Sequence, residues 1–186
     1  METKNKLVEV KQQTGVNIRE CYQCGKCTAG CPVAEIMDLR PSVIMRMIQS
    51  GSDEEMDQIL QSYTIWLCLT CETCYSRCPM DIDIPKVMDY LRQRSLAEGK
   101  VHPEARNIVA FHKSFLNTVK WNGRLSELFL TIDYKIRSLR SGTLLQDMTV
   151  APGMISRGKL HLIPKQIKDK KGFSRLFKKQ LNQKKP

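Results

Sequence analysis

Cysteine is missing from this sequence everywhere except two short windows, residues 21–31 and 68–78. Whatever those windows do uses every thiol, and none is spare for catalysis elsewhere. Long apolar runs are missing too. The longest stretch, around Ile65-Trp66-Leu67-Cys68-Leu69, is core-sized and far short of the roughly 20 residues of a membrane-spanning helix. No secretory leader is evident, so a reducing, cytoplasmic compartment is expected. The dinucleotide fingerprint Gly-x-Gly-x-x-Gly does not occur, which leaves a Rossmann-type flavin or nucleotide site without support. Gly153-x4-Gly158-Lys159 imitates a phosphate loop. However, Leu160 stands where a metal-binding Ser or Thr belongs and no strand leads in, so it reads as coincidence. Strand-like alternation is confined to a weak Leu7-x-Glu9 at the start. Acidic residues nearly vanish toward the C-terminus. From Arg157 onward eleven Lys and Arg face Asp169 alone, so this tail carries ten of the formal net charge of +11.

What is present is two copies of one pattern, Cys21-x2-Cys24-x2-Cys27-x3-Cys31-Pro32 and Cys68-x2-Cys71-x2-Cys74-x3-Cys78-Pro79. This is the ligand run of proteins that hold two four-iron, four-sulfur cubanes. Each iron needs one thiolate, so two cubanes need all eight cysteines. Three cysteines three apart can wrap one cluster in a tight loop, whereas the fourth does not easily reach it. In two-cluster ferredoxins the cysteine before proline ligates the other cluster, and the fixed φ of proline helps turn the chain away. Cys21, Cys24, Cys27 and Cys78 are therefore assigned to one cluster, and Cys68, Cys71, Cys74 and Cys31 to the other. Structural zinc usually pairs Cys-x2-Cys with a second pair a dozen or more residues away, so these dense windows fit it poorly. Disulfides conflict with the expected compartment.

Between and after the windows the chain reads as helix. Pro41 suits a first helical position, with Val43, Ile44, Met47 and Ile48 on one face before Gly51. Ser52 can cap a helix whose first turn carries Asp53, Glu54 and Glu55. Pro85 opens another, with Val87, Met88 and Leu91 as its core face and Gly99 as its stop. Pro103 opens the next, in which Ile108, Phe111, Phe115 and Val119 recur at helical spacing until Asn122-Gly123. A helix from Arg124 to Leu139 presents Leu125, Leu128, Phe129, Ile132 and Ile136. In the tail, Phe173, Leu176, Phe177 and Leu181 suggest a basic amphipathic helix that docks on a partner. The expected class is all-α. It divides into an N-terminal arm (1–17), a domain with both cysteine motifs (18–100), a helical extension (101–140) and a basic partner-docking tail (141–186).

Two cluster loops set among helices resemble the alpha-helical ferredoxin domain found in the iron–sulfur subunits of succinate dehydrogenase and its relatives. This sequence lacks their plant-type two-iron motif. It also has Cys71 where they commonly have a non-cysteine residue, so a full second cubane is expected and direct quinone reduction is disfavoured. Residues 18–100 are similar to the iron–sulfur C subunit of the soluble heterodisulfide reductases, and Gly158-Lys159-Leu160-His161-Leu162-Ile163-Pro164 is similar to the tail of that protein. The resemblance implies a cytoplasmic electron relay in methanogenesis with two [4Fe-4S] clusters and no active site of its own. Its implied partners are the flavin-bearing A subunit, and the catalytic B subunit that reduces the CoM-S-S-CoB heterodisulfide, with a hydrogenase or formate dehydrogenase in the larger complex. A neighbouring reading is the same module serving a flavin-dependent glycerol 3-phosphate or 2-hydroxy acid dehydrogenase that feeds a quinone. A nucleic-acid protein would also explain the basic tail, but it fits a redox carrier less well than a protein partner does.

Other residues are weaker signals. His102, His112 and His161 read as surface or capping histidines, since the cysteines already saturate both clusters. Gly25 and Gly30 allow backbone N–H groups to approach cluster sulfur, and Lys26 and Arg77 can add positive potential. Plain solubility accounts for those two charges equally well.

Overall fold

A computed structural model describes residues 6–138 and 169–183, together with positions 153 and 167. The weak alternation near the start does not make a strand. Leu7, Val10 and Thr14 are buried at helical spacing, and α1 spans Lys6–Thr14. The cysteine windows each contain a one-turn helix, α2 (Lys26–Ala29) and α6 (Thr73–Ser76). Between them lie α3 (Pro41–Ser50), α4 (Asp53–Gln61) and α5 (Thr64–Leu67). Beyond them come α7 (Ile84–Ala97), α8 (Arg106–Asn122), α9 (Glu127–Arg137) and α10 (Lys170–Gln183). Among the described residues the chain is all helix and turn, with no strand.

Local chemistry sets the helix ends. Pro41 stands at the start of α3, where its missing N–H costs nothing, and Gly51 ends it at φ 73°. Its buried face is Ile44, Met45 and Ile48, so the helix is rotated from the expected stripe and Val43 points outward. Ser52 occupies the N-cap of α4 but its side chain makes no capping bond. The three acids of the first turn remain to meet the helix dipole. α7 starts one residue before Pro85 because Asp83 accepts a hydrogen bond from Lys86 N at 3.0 Å.

The chain divides into two compact units, Met1–Ala105 and Arg106–Pro186. In the first, α7 packs on α1, α4 and α5, and α3 on α1 and α4. Their apolar faces meet in a core that includes Val10, Ile44, Met45, Ile59, Leu60, Ile65, Val87 and Leu91, each at 0% exposure. Each such side chain contributes about 1.5–3 kcal/mol by leaving water. Polar ties lock the packing: Ser95 Oγ donates to Leu60 O at 2.8 Å, and Glu9 accepts from Tyr90 and Arg94, both at 2.9 Å.

In the second unit α8 packs on α9 and on α10. Here the large apolar residues at helical spacing are mostly not the buried ones. The buried positions of α8 are Val109, Ser114, Thr118 and Asn122, while Phe111 and Phe115 are exposed. α9 begins at Glu127, not Arg124, and buries nothing, with Leu125, Phe129, Ile132 and Ile136 all exposed. The reason is steric: small polar residues occupy the buried face of α8. Thr118 Oγ1 satisfies itself on Ser114 O at 3.0 Å, and Phe111 meets the edge of Tyr134 at 6.0 Å. The Asn122-Gly123 stop holds, with Gly123 at φ 71°. The expected end at Leu139 lies outside the described residues. In the tail, the lone acid Asp169 caps α10: its Oδ1 accepts from Gly172 N at 2.8 Å.

Candidate metal centre

Each cysteine window folds into the same loop. The residue two after the first cysteine is left-handed (Gln23 φ 61°, Thr70 φ 53°), and so is the residue four after it (Gly25 φ 74°, Glu72 φ 59°). These reversals curl the first two cysteines around a hollow, and the one-turn helix that follows carries the third, Cys27 in α2 and Cys74 in α6. Such backbone is easy for Gly25 but costs non-glycine residues roughly 1–2 kcal/mol each, so the surroundings must hold Thr70 and Glu72 in place.

The two hollows are crossed. One cavity is lined by Cys21, Cys24, Cys27 and also Cys78. A second is lined by Cys68, Cys71, Cys74 and also Cys31. Ile84, only 3% exposed, lines both. Four sulfurs around one zinc, at about 2.3 Å from the ion, would close the hollow. Among the described residues no three or more His, Cys, Asp or Glu side chains are gathered closely enough for a single ion, so the spread quartets of thiols fit a polynuclear iron–sulfur cluster as the donor set.

The thiols differ in setting. Cys24 and Cys71 are exposed, Cys27 is buried and the others are half-buried. Burial pushes the Cys27 thiol up, opposed by the N–H and hydroxyl of Thr28. Burial, with Cys68 beside it, pushes Cys74 up to about 12. Burial also raises Cys68, against the opposing pull of Thr70 N–H and the Arg92 charge. At Cys71 the Thr73 hydroxyl, 3.4 Å from the sulfur, leads in holding the thiol below its usual value. The buried thiols thus keep their protons until metal displaces them, and cluster assembly must release those protons. Ile82 N donates to Cys78 Sγ at 3.4 Å, a hydrogen bond of the kind that stabilises a reduced cluster.

Side chains remote in sequence hold the loops. Gln49 of α3 donates to Ile18 O and Cys21 O, and Arg92 of α7 to Ile65 O and Cys68 O. The Gln49 amide nitrogen faces two carbonyls, so its oxygen faces Gln23, whose amide donates to it at 2.9 Å. Thr28 Oγ1 accepts from Ser42 N at 3.0 Å and ties α2 to α3. Asp38 caps α5 from a distance, accepting from Tyr63 N and Thr64 N, both at 2.8 Å, and from Thr64 Oγ1. Partial burial raises its pKa, but these donors outweigh burial and hold the carboxyl below its usual value. None of these partners sits at a motif spacing.

Asp38 yields a direct test. Removing a cap of this kind costs about 0.5–2 kcal/mol, and Cys68 follows α5 immediately. Asp38→Ala is expected to lower the denaturant midpoint for bleaching of iron–sulfur absorbance, and an unchanged midpoint would count against the cap.

The remaining candidates are placed as follows. Arg77 lies over Gly30, where an added Cβ would meet its Cδ at 2.6 Å, so Gly30 makes room for that side chain. Lys26 and Arg77 are both exposed. His102 stacks on Tyr63 at 5.2 Å and accepts from Glu104 N at 3.3 Å, the capping role expected of it. His112 is exposed on α8 beside Phe111. His161 and the Gly158-Lys159-Leu160 segment lie outside the described residues. No described helix is long and apolar enough to cross a membrane.

Comparison with known proteins bears on the same region. Residues 20–83 match the 4Fe-4S dicluster domain family. The chain is similar to the CoB–CoM heterodisulfide reductase iron–sulfur C subunit (number 2) of Methanocaldococcus jannaschii, 34% identical over 112 residues, covering 60% of this chain and 58% of the relative. It is also similar to the CoB–CoM heterodisulfide reductase iron–sulfur C subunit of Methanopyrus kandleri, 30% identical over 130 residues, 69% of this chain and 66% of the relative. A third relative is the ferredoxin:CoB–CoM heterodisulfide reductase C subunit of Methanosarcina mazei, 31% identical over 102 residues, 55% of this chain and 61% of the relative. The chain thus spans about three fifths of the length of these relatives. A dicluster domain with eight cysteines gives two [4Fe-4S] clusters.

Proposed function

Because the chain is a homologue of heterodisulfide reductase iron–sulfur C subunits and carries a 4Fe-4S dicluster domain, we propose that it is the electron-relay member of such a complex. In this reading it receives electrons from the flavin-bearing A subunit, and delivers them to the B subunit that reduces CoM-S-S-CoB. The complex is cytoplasmic and includes a hydrogenase or formate dehydrogenase module. Residues 18–100 form the cluster-bearing part, after an arm (1–17). Residues 101–140 extend it, and the basic tail (141–186) docks on a partner.

The observation that carries this reading is the pair of crossed cavities. They support ligation of the first cluster by Cys21, Cys24, Cys27 and Cys78, and of the second by Cys68, Cys71, Cys74 and Cys31. When bound, the clusters supply one-electron storage. The residues of this chain do the rest. Buried Ile84 lines both sites, while the left-handed loops leave Cys24 and Cys71 at the surface. Each site therefore has one covered side toward the other site and one open edge toward a partner. Shared walls and open edges are what a two-step relay requires.

Anaerobic purification of the tagged full chain from its native cells tests the assignment. The expected result is co-purification with a flavoprotein and a second iron–sulfur protein that together reduce the heterodisulfide. Recovery with a quinone-linked dehydrogenase instead would overturn the choice of enzyme while leaving the clusters in place.

A further inference from the structure

One position in the two loops is occupied by groups of different charge. In each loop a side chain from a long helix binds the same pair of carbonyls: that of the first cysteine and that of the residue three before it. At the first loop the group is a neutral amide, with Gln49 Nε2 donating to Ile18 O at 3.0 Å and Cys21 O at 2.7 Å. At the second it is a cation, with Arg92 donating through Nε to Ile65 O and through Nη2 to Cys68 O. Both clamps also reach the left-handed residue of their loop: Gln49 meets Gln23 at 2.9 Å and Arg92 meets Thr70 at 3.5 Å. The two share a structural role, but only one brings a charge.

That charge is poorly screened. The Arg92 side chain is 15% exposed, whereas Arg19, Lys26, Arg46 and Arg77, cations flanking the cysteine loops, are all exposed. Asp89 pairs with Arg92 Nη1 at 3.1 Å, but its side chain is 50% exposed. Glu72 and Asp81 on the second loop are exposed as well. Water and salt weaken the exposed charges of both signs more than the covered guanidinium. A fixed positive charge favours the more negative state of whatever lies beside it, and net charge and hydrogen bonding are among the terms that set iron–sulfur potentials.

We propose that Arg92 is a positioning residue that also sets electron order. By holding its charge against Cys68, it makes the second loop's cluster easier to reduce than the first, so electrons pass from the first loop toward the second. This rests on the ligation proposed above.

The test is an anaerobic redox titration of the full chain followed by electron paramagnetic resonance, with Cys71→Ser identifying the second loop's signal. Arg92→Gln, which copies the first loop's clamp, is expected to lower the second potential alone. The expected change is roughly tenfold in the partition of an electron between the sites, about 59 mV for a one-electron couple. Arg92→Lys keeps the charge and loses the fork, and is expected to stay near the native potential. Asp89→Asn removes the counter-charge and is expected to raise the same potential. The inference is overturned if Arg92→Gln leaves both potentials in place or moves both equally, or if Arg92→Lys shifts as far as Arg92→Gln. Should Arg92→Gln lose its second cluster, Asp89→Asn decides: an upward shift supports the inference and no shift overturns it. A native chain without two reducible signals refutes the ligation itself, an outcome distinct from two signals that ignore Arg92.

Discussion

Cys78→Ser is expected to abolish or strongly perturb the signal of the cluster held by Cys21, Cys24 and Cys27, and to spare the one held by the loop that Cys78 follows in sequence. Cys78 lines the first cavity, not the second, and Cys31 does the reverse. The chain achieves this because Cys31 and Cys78 each follow a one-turn helix by two residues, with their N–H groups bonded back to Thr28 O and Tyr75 O, and α2 packs against α6. The contact of Arg77 with Gly30 joins the two at close range. Cys31→Ser is the mirror experiment and should strike the second signal. Iron content should fall by about half in each variant, since one of two equal clusters is compromised. Loss confined to the adjacent loop's cluster in both variants would mean that each window closes on itself.

Stripping iron from the intact protein with a chelator under reducing conditions is expected to melt the cysteine loops and to destabilise the whole first unit. Structural zinc sites in small peptides supply on the order of 10–16 kcal/mol each, and a whole domain retains only about 5–15 kcal/mol of net stability, so losing metal–thiolate bonds of that order outweighs what the core holds in reserve. Crossed ligation also makes each cluster a tie between the two windows, so loss of either releases both. Without metal, the left-handed backbone at Thr70 and Glu72 keeps its cost and loses the sulfur bonds that helped impose it. Far-ultraviolet circular dichroism should lose signal in step with iron–sulfur absorbance, and protease should cut first between residues 21 and 31 or 68 and 78. Retention of full helicity after complete iron loss would show that the apolar core alone sustains the unit.

Much of this was legible in the residues because the relevant physics is local. Proline at the first position of α3, glycine after its end and acids in the first turn of α4 act within one turn of chain. The same holds for the core face of α7, which is set by 3.6-residue spacing against a partner that buries it. Where spacing was a poor guide, tertiary contacts decided. The stripes Phe111, Phe115 and Phe129, Ile132 have helical periodicity, yet they lie exposed because small polar residues occupy the buried face of α8. Val43 and Met45 exchange expected roles because which side of α3 is covered depends on α1 and α4.

The cysteine count and spacing determined the cofactor class, for ligand number and loop geometry are written into eleven consecutive residues at a time. What only the fold decided is which charge stands beside which loop. Gln49 and Arg92 lie far along the chain from the cysteines they clamp, on helices whose rotation is fixed by core packing. No local pattern encodes such a contact, because a side chain's partner across space depends on how whole helices pack and not on its neighbours in sequence.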